Sequence, residues 1–99
     1  DILETNWIFQ KAEIDIIASF DSKIIIVEVK ARNTDAFLEP HEVVNKKKIK
    51  NLVFAADQFM QENNRVEEVR FDIISVLPDD KGKLQITHIE DGFDAFDAN

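Results

Sequence analysis

Two runs of mostly apolar, β-branched residues dominate the first third of the chain. They extend from Ile14 to Phe20 and from Lys23 to Lys30, and the polar pair Asp21-Ser22 separates them. Short runs of this kind on either side of a two-residue polar break are typical of a β-hairpin with a tight turn. With Asp21 and Ser22 as the turn residues, the predicted pairing starts at Phe20 and Lys23 and runs outward from there.

An amphipathic helix is predicted in the middle of the chain, from Lys46 to Asn63. Apolar residues recur there at every third or fourth position: Ile49, Leu52, Val53, Ala56, Phe59 and Met60. This spacing puts them on one face, which indicates a helix packed on a sheet. Asn45 is the predicted N-cap, and Asn63-Asn64 marks the end of the helix.

Three further strands complete the predicted elements. They are Trp7–Lys11, Val69–Leu77 and Leu84–Ile89, with a turn over Pro78–Gly82 and a loop over Ala31–Asn45. The order β-β-β-α-β-β predicts an α/β fold, in which a helix lies across a mixed sheet of about five strands. The step from the third strand through the helix to the fourth is a right-handed parallel crossover if those strands are neighbours.

Four charged residues interrupt the two apolar runs of the hairpin. The predicted pairing puts Asp15 opposite Glu28 and Glu13 opposite Lys30, on one face of the sheet and with opposed Cβ atoms about 5 Å apart. Two carboxylates this close repel each other unless a divalent cation or a proton lies between them. The alternative is an edge position at which both acids are solvated.

Composition and charge limit the class of protein. With 99 residues, 44% of them hydrophobic, and only two Gly and two Pro, the chain is predicted to form one globular domain. It has no cysteine, no apolar run long enough for a membrane helix and no signal-peptide pattern, which predicts a soluble, cytoplasmic protein with no membrane partner. The net charge of −8 argues against broad nucleic-acid binding, although local charge matters more than the sum.

The charged positions form the pattern D-x(n)-E-x-K, which resembles the core motif of the PD-(D/E)xK nuclease superfamily. The closer resemblance is to the bacterial YraN-like (UPF0102-type) family, which is similar to archaeal Holliday-junction resolvases. The segments that carry it, in order, are Ile2–Trp7, Ala12–Ala18, Val27–Arg32, Val69–Asp72 and Thr87–Asp91. They are spread over nearly the whole chain, so the resemblance is more specific than a single E-x-K.

This resemblance implies a restriction-endonuclease-like domain with a metal site. It implies that Asp15, Glu28 and the backbone carbonyl of Val29 bind Mg²⁺ or Mn²⁺, and hard cations do prefer oxygen ligands. Lys30 would orient or deprotonate the attacking water and offset charge on the phosphate, unless it forms only a salt bridge. Glu13 is either an accessory ligand or the ion-pair partner of Lys30, and we favour the partner role.

DNA is the partner implied by the resemblance, including branched DNA, with a homodimer to match the symmetry of a junction. Arg32 is the first candidate for phosphate contact, because its guanidinium can bind two oxygens at once. Lys46, Lys47 and Lys48 are further candidates, and relatives place one lysine of this helix near the site. The alternative is that these lysines are only solvated at the start of the helix, and the sequence supports it at least as well.

Three departures from the family pattern bear on the expected activity. Ala12 and Ala31 stand where the family usually has glycine and threonine. The family also begins with a helix that supplies another acidic residue, whereas this chain starts at Asp1, so we expect residues 1–99 to form a domain truncated at its N terminus. A non-catalytic nucleic-acid- or protein-binding module with the nuclease fold is therefore the second functional hypothesis.

Two residues near the end of the chain receive structural roles. Asp72 is expected near a strand end, where it caps the strand or pairs with Arg70, and it is assigned no chemistry. His88 is expected to be a structural or surface residue, because the only other histidine, His41, lies in a distant loop and a zinc site needs more ligands.

Overall fold

The computed structural model describes residues 1–31 and 45–94 as a single sheet with one helix. The elements are β1 (Ile2–Phe9), β2 (Ala12–Phe20), β3 (Lys23–Ala31), α1 (Lys46–Glu62), β4 (Glu68–Pro78) and β5 (Leu84–Phe93). The strands lie side by side in chain order; β3 and β4 are parallel, and the other neighbours are antiparallel. The predicted α/β class, mixed sheet and element order are confirmed.

The predicted hairpin is present as β2 and β3. Asp21 and Ser22 both have positive φ, 53° and 62°, as the central residues of a type I′ turn require. The register runs from Phe20↔Lys23 to Ile16↔Val27. The predicted pairing is therefore confirmed over this stretch. The observed pairing ends at Ile16↔Val27, before the predicted pairs of Asp15 with Glu28 and of Glu13 with Lys30.

The first strand differs from its prediction. It runs from Ile2 to Phe9 rather than from Trp7 to Lys11, and it turns into β2 through Gln10 and Lys11. Its alternation is obscured in the sequence, because the register shifts between Ile2 and Glu4 and Asn6 has a φ of 51°. A strand with such irregularities does not show a clean two-residue period.

The hydrophobic core lies between α1 and one face of the sheet. From the strands it takes the fully buried Ile14, Ile17 and Ile73, and helix residues such as Leu52 and Phe59 complete it. Ile14 and Ile17 are an odd number of residues apart, yet both enter this cluster, so β2 does not alternate strictly between its faces there.

Asp15 lies within that irregular segment of β2. The pairs Thr5↔Ile16 and Trp7↔Ile14 leave Asp15 opposite Asn6, the residue with positive φ in β1. The candidate site is thus adjacent to a local distortion of the sheet.

The predicted helix boundaries are nearly those observed. The side chain of Asn45 accepts a hydrogen bond from the backbone N–H of Lys48 at 2.9 Å, which confirms it as the N-cap, and Asn63 is the C-cap. No helix formed by residues 1–31 or 45–94 combines the length and the apolar character needed to cross a membrane.

The last strand is longer than predicted, because a bulge interrupts it without ending it. The register shifts between Phe71↔Phe93 and Ile73↔Ile89, and Asp91 has a φ of 54°. Gly92 follows it, and a Cβ on Gly92 would lie 2.9 Å from Cδ1 of Ile73. The close packing on Ile73 therefore favours glycine at this position.

Candidate functional site

Asp15 is fixed by the backbone of the neighbouring strand. Its Oδ2 accepts a hydrogen bond from the N–H of Val29 at 2.8 Å. In a hairpin that stayed regular beyond Ile16↔Val27, this N–H would donate to the carbonyl of Ile14. The carboxylate of Asp15 receives it instead, which holds Asp15 beside the segment Glu28-Val29.

Glu28 is a buried carboxylate in β3 whose two oxygens have different surroundings. Its side chain is only 3% exposed, and Oε1 lies 2.7 Å from Nζ of Lys48 and 3.5 Å from Nζ of Lys30. Oε2 is buried and has no hydrogen-bond partner among residues 1–31 and 45–94. A buried acceptor without a partner is costly and uncommon, so Oε2 is an oxygen to which a cation or a donor would bind favourably.

The two lysines at Glu28 differ in proton affinity. The hydrogen-bond contact with Lys48, burial and the positive charge of Lys48 lower the pKa of Lys30 below its usual range, against the attraction of Glu28. Burial opposes the charged form of Lys48 too, but its contacts with Glu28 and Lys30 raise its pKa overall. Lys30 is therefore the lysine that releases its proton more readily, and Lys48 is the closer counter-ion of Glu28.

A cavity of about 370 Å³ brings most of the predicted site residues together. Its lining includes Glu13, Asp15, Glu28, Lys47 and Lys48. Glu13 is exposed there, and the carboxylate that Lys30 contacts is that of Glu28. Lys46 is exposed at the start of α1.

Arg32, the first candidate for phosphate contact, lies outside the described residues, as does His41.

The donor atoms of this cavity fit a hard divalent cation. Asp15 and Glu28 offer carboxylate oxygens from adjacent strands, one of them the unpartnered Oε2 of Glu28, and Mg²⁺ and Mn²⁺ prefer such ligands. Over residues 1–31 and 45–94 there is no group of three or more His, Cys, Asp or Glu side chains able to hold a metal. Any cation bound here by these residues would keep several waters.

Several cavity residues were not predicted as site residues from the sequence, and two of them have polar side chains suited to ligand contact. Lys11, in the turn between β1 and β2, and Asn51, one helical turn after Lys47, both line the cavity. The sequence signal for Asn51 is its spacing from Lys47, since residues four apart lie on the same side of a helix. Lys11 could be found only after β1 and β2 were correctly paired.

A second polar cluster lies around Asp72, within β4 rather than at the strand end where it was expected. Asp72 is fully buried and accepts two hydrogen bonds from Arg70, at 2.9 and 2.8 Å. Nε2 of His88 lies 2.7 Å from its Oδ2, and the N–H of Asp91 donates to its Oδ1. The expected pairing with Arg70 is confirmed, and Asp72 also fixes the bulge of β5.

Comparison with known proteins gives one family. The model of the Uncharacterised protein family UPF0102 matches residues 1–76. The chain is 48% identical to a UPF0102 protein of Flavobacterium psychrophilum over 92 residues, which cover 93% of this chain and 76% of that protein. It is 43% identical to one of Parabacteroides distasonis, with 94% and 76% covered, and 42% identical to one of Sulfurihydrogenibium, with 93% and 76% covered.

Proposed function

The chain belongs to the Uncharacterised protein family UPF0102, and from its site we propose that it is a metal-dependent endonuclease that hydrolyses DNA phosphodiester bonds. The observation that carries the proposal is the carboxylate of Glu28, buried beside Asp15 with two lysines at Oε1 and, within the described part of the chain, no partner at Oε2. The proposal includes a link between this family and the PD-(D/E)xK nucleases, and branched, Holliday-junction-like DNA as a substrate.

The proposed cation is Mg²⁺ or Mn²⁺, held by Asp15 and Glu28 with the carbonyl of Val29 as a further ligand. Its presence would stabilise negative charge on a phosphate oxygen and make a nearby water more acidic. The protein contributes orientation: the N–H of Val29 fixes one oxygen of Asp15, which leaves the other oxygen for a ligand. Burial of Glu28 strengthens its attraction for a cation.

Lys30 is the proposed proton acceptor. In hydrolysis a water oxygen bonds to phosphorus and the water loses a proton. The bond from phosphorus to one ester oxygen breaks, and this leaving oxygen takes up a proton from solvent. The lowered pKa of Lys30 makes its neutral amine easier to reach than that of an ordinary lysine, so that it can take the proton of the water. Lys48, whose pKa is raised, stays positively charged and can attract the phosphate.

Local charge supports DNA as the partner despite the net charge of −8. The cavity is lined by Lys11, Lys47 and Lys48, and Lys46 lies exposed at the adjacent helix start. Lysines grouped around one cavity attract a polyanion locally even when the whole protein is acidic. A homodimer and a cytoplasmic location remain predictions.

One observation favours the second hypothesis, a non-catalytic module that binds nucleic acid or protein. Oε1 of Glu28 already has Lys48 at 2.7 Å as its counter-ion, so this half of the carboxylate is neutralised without a metal. Such a module would bind DNA or another partner through the same lysines but would not cleave DNA.

The test is cleavage of plasmid and four-way-junction DNA in Mn²⁺ and in Mg²⁺. We expect cleavage by the wild-type chain and its loss in Glu28→Gln and in Asp15→Asn, which keep side-chain size but remove the charge. Glu68→Gln, an exposed position at the start of β4, is the matched control and should cleave normally. Salt-sensitive DNA binding without cleavage would support the binding module, and cleavage retained in Glu28→Gln would overturn the proposed site.

A further inference from the structure

An aromatic side chain is exposed beside the candidate site. Phe54 lies on α1 with 59% of its surface exposed, and its ring stacks on that of Phe9 at 5.6 Å and 22°. Phe9 in turn stacks on Trp7, which packs edge-on against the core residue Phe59. The three stacked rings thus run from the core to the surface, and Phe54 is the exposed end.

Single exposed apolar side chains are common on protein surfaces, but Phe54 has unusual neighbours. With Phe9 it lines a cavity of about 300 Å³, whose other walls include Lys11, Lys50 and Asn51. The cavity therefore combines an aromatic platform, two positive charges and the side-chain amides of Gln10 and Asn51. Aromatic rings with adjacent lysines are the features that bind unpaired nucleotides, by stacking on the base and by attraction of the phosphate.

This aromatic cavity adjoins the candidate active site. The two cavities share Lys11, Ala12 and Asn51 in their walls. On the helix, Lys47, Asn51 and Phe54 are spaced by four and three residues, which places them along one side of α1. A DNA strand whose phosphate lies in the candidate active site beside Glu28 could therefore continue toward Phe54.

We propose that the cavity lined by Phe9 and Phe54 binds an unpaired nucleobase next to the scissile phosphate, with Lys11 and Lys50 at the backbone of that nucleotide. This inference rests on the proposed action on DNA and specifies the substrate: DNA with a single-stranded segment, as at a flap or an overhang. The ring of Phe54 stacks on the base, and Asn51 offers a donor and an acceptor to the base edge.

The test is binding of labelled DNA in the presence of EDTA, so that no cleavage takes place. The probes are a duplex with a single-stranded overhang and the same duplex with blunt ends, and the measurement is fluorescence anisotropy. We expect the wild-type chain to prefer the overhang, and Phe54→Ala to lose at least about fivefold in affinity for it. Phe54→Trp should keep the preference, and Phe54→Leu, which has no ring, should lose it.

Phe20→Ala is the matched control, because Phe20 is 67% exposed at the turn of the β2–β3 hairpin. It should bind both probes as the wild type does, and thermal melting should show that all variants are folded. Equal affinity of the wild type for the two probes, or unchanged overhang binding in Phe54→Ala or Phe54→Leu, would overturn the inference.

The outcome for the aromatic cavity can be separated from that for the nuclease site. Overhang preference without any cleavage in Mn²⁺ would reject the proposed hydrolysis and keep the base-binding cavity. Cleavage that depends on Glu28, with no effect of Phe54 on binding, would keep the nuclease and reject the cavity.

Discussion

Nζ of Lys48 lies 2.7 Å from Oε1 of Glu28, so a lysine from the first turn of α1 neutralises the buried carboxylate of β3. This ion pair joins the helix to the sheet at the candidate site. It also means that any cation bound by Glu28 shares that carboxylate with an ammonium group.

Replacement of Lys48 by Met should lower stability in a way that a divalent cation reverses. Glu28 would keep only the longer contact with Lys30, and we expect the free energy of unfolding to fall by about 1–3 kcal/mol. Mn²⁺ should then raise the melting temperature of this variant more than that of the wild type, because ligand binding to the native state stabilises it. Lys81→Met, in the exposed turn before β5, is the control. Equal rises in melting temperature of Lys48→Met and the wild type on addition of Mn²⁺ would show that Lys48 and the cation do not compete for Glu28.

Asp72 should make stability depend on acidic pH. Burial alone would raise the pKa of Asp72, but hydrogen bonds from Arg70, Asp91 and His88 hold it below its usual range. Its stabilising contribution is complete above the unfolded-state pKa of about 3.9 and is lost as pH falls through the lower folded-state pKa.

The measurement is urea unfolding of wild type and Asp72→Asn over a range of pH. At neutral pH the variant should be less stable by about 3 kcal/mol, because Arg70 loses its buried counter-ion. The difference should shrink on acidification below about pH 4, and Asp80→Asn, in an exposed turn, should show no such difference. A constant difference down to low pH would mean that the charge of Asp72 is not what stabilises the fold.

Gly92→Ala should destabilise the bulge of β5 by steric overlap. The added Cβ would lie 2.9 Å from Cδ1 of Ile73, a fully buried residue with little room to move, and overpacking of this kind costs about 1–3 kcal/mol. Ile73→Val removes Cδ1, so the double variant should lose less than the sum of the single losses. The measurement is chemical denaturation of the two single variants and the double variant. If their losses of unfolding free energy add strictly, the two side chains do not compete for space.

The lysines at the start of α1 should trade stability for DNA affinity. Lys46 and Lys47 lie in the first helical turn, which contains no acidic residue, and positive charge there is unfavourable by about 0.3–1 kcal/mol per residue. Lys46→Gln and Lys47→Gln should therefore stabilise the protein while they weaken DNA binding. Each should reduce the slope of the logarithm of DNA affinity against the logarithm of salt concentration by about 0.9. Lys81→Gln should change neither the stability nor this slope.

Much of the fold was predictable because it depends on local rules. The tight turn at Asp21-Ser22 fixes the β2–β3 register, and the periodicity after Lys46 defines the helix. The predictions were wrong at the start of β1 and the end of β5, where irregularities at Asn6 and Asp91 hide the two-residue period.

The candidate site was predictable only in part. The tight turn of the hairpin brings Asp15 and Glu28 close together, so their proximity could be inferred from the sequence. The bond from the Val29 N–H to Asp15, beyond the last observed pair Ile16↔Val27, could not. The contact between Lys48 and Glu28 depends on how α1 is rotated over the sheet, and the network of Asp72 depends on a bulge in another strand. Packing between elements decides both, and neither leaves a short-range signal.

The two-residue turn between β2 and β3 also restricts how the length of this hairpin can vary. If one extra residue at Asp21-Ser22 were taken up by a register shift of one position and not by a longer loop, every β2 side chain would turn to the opposite face. Asp15 would then no longer meet the N–H of Val29, even though the apolar content of both strands would be unchanged. Insertions and deletions at this turn are therefore expected to abolish the site before they abolish the sheet.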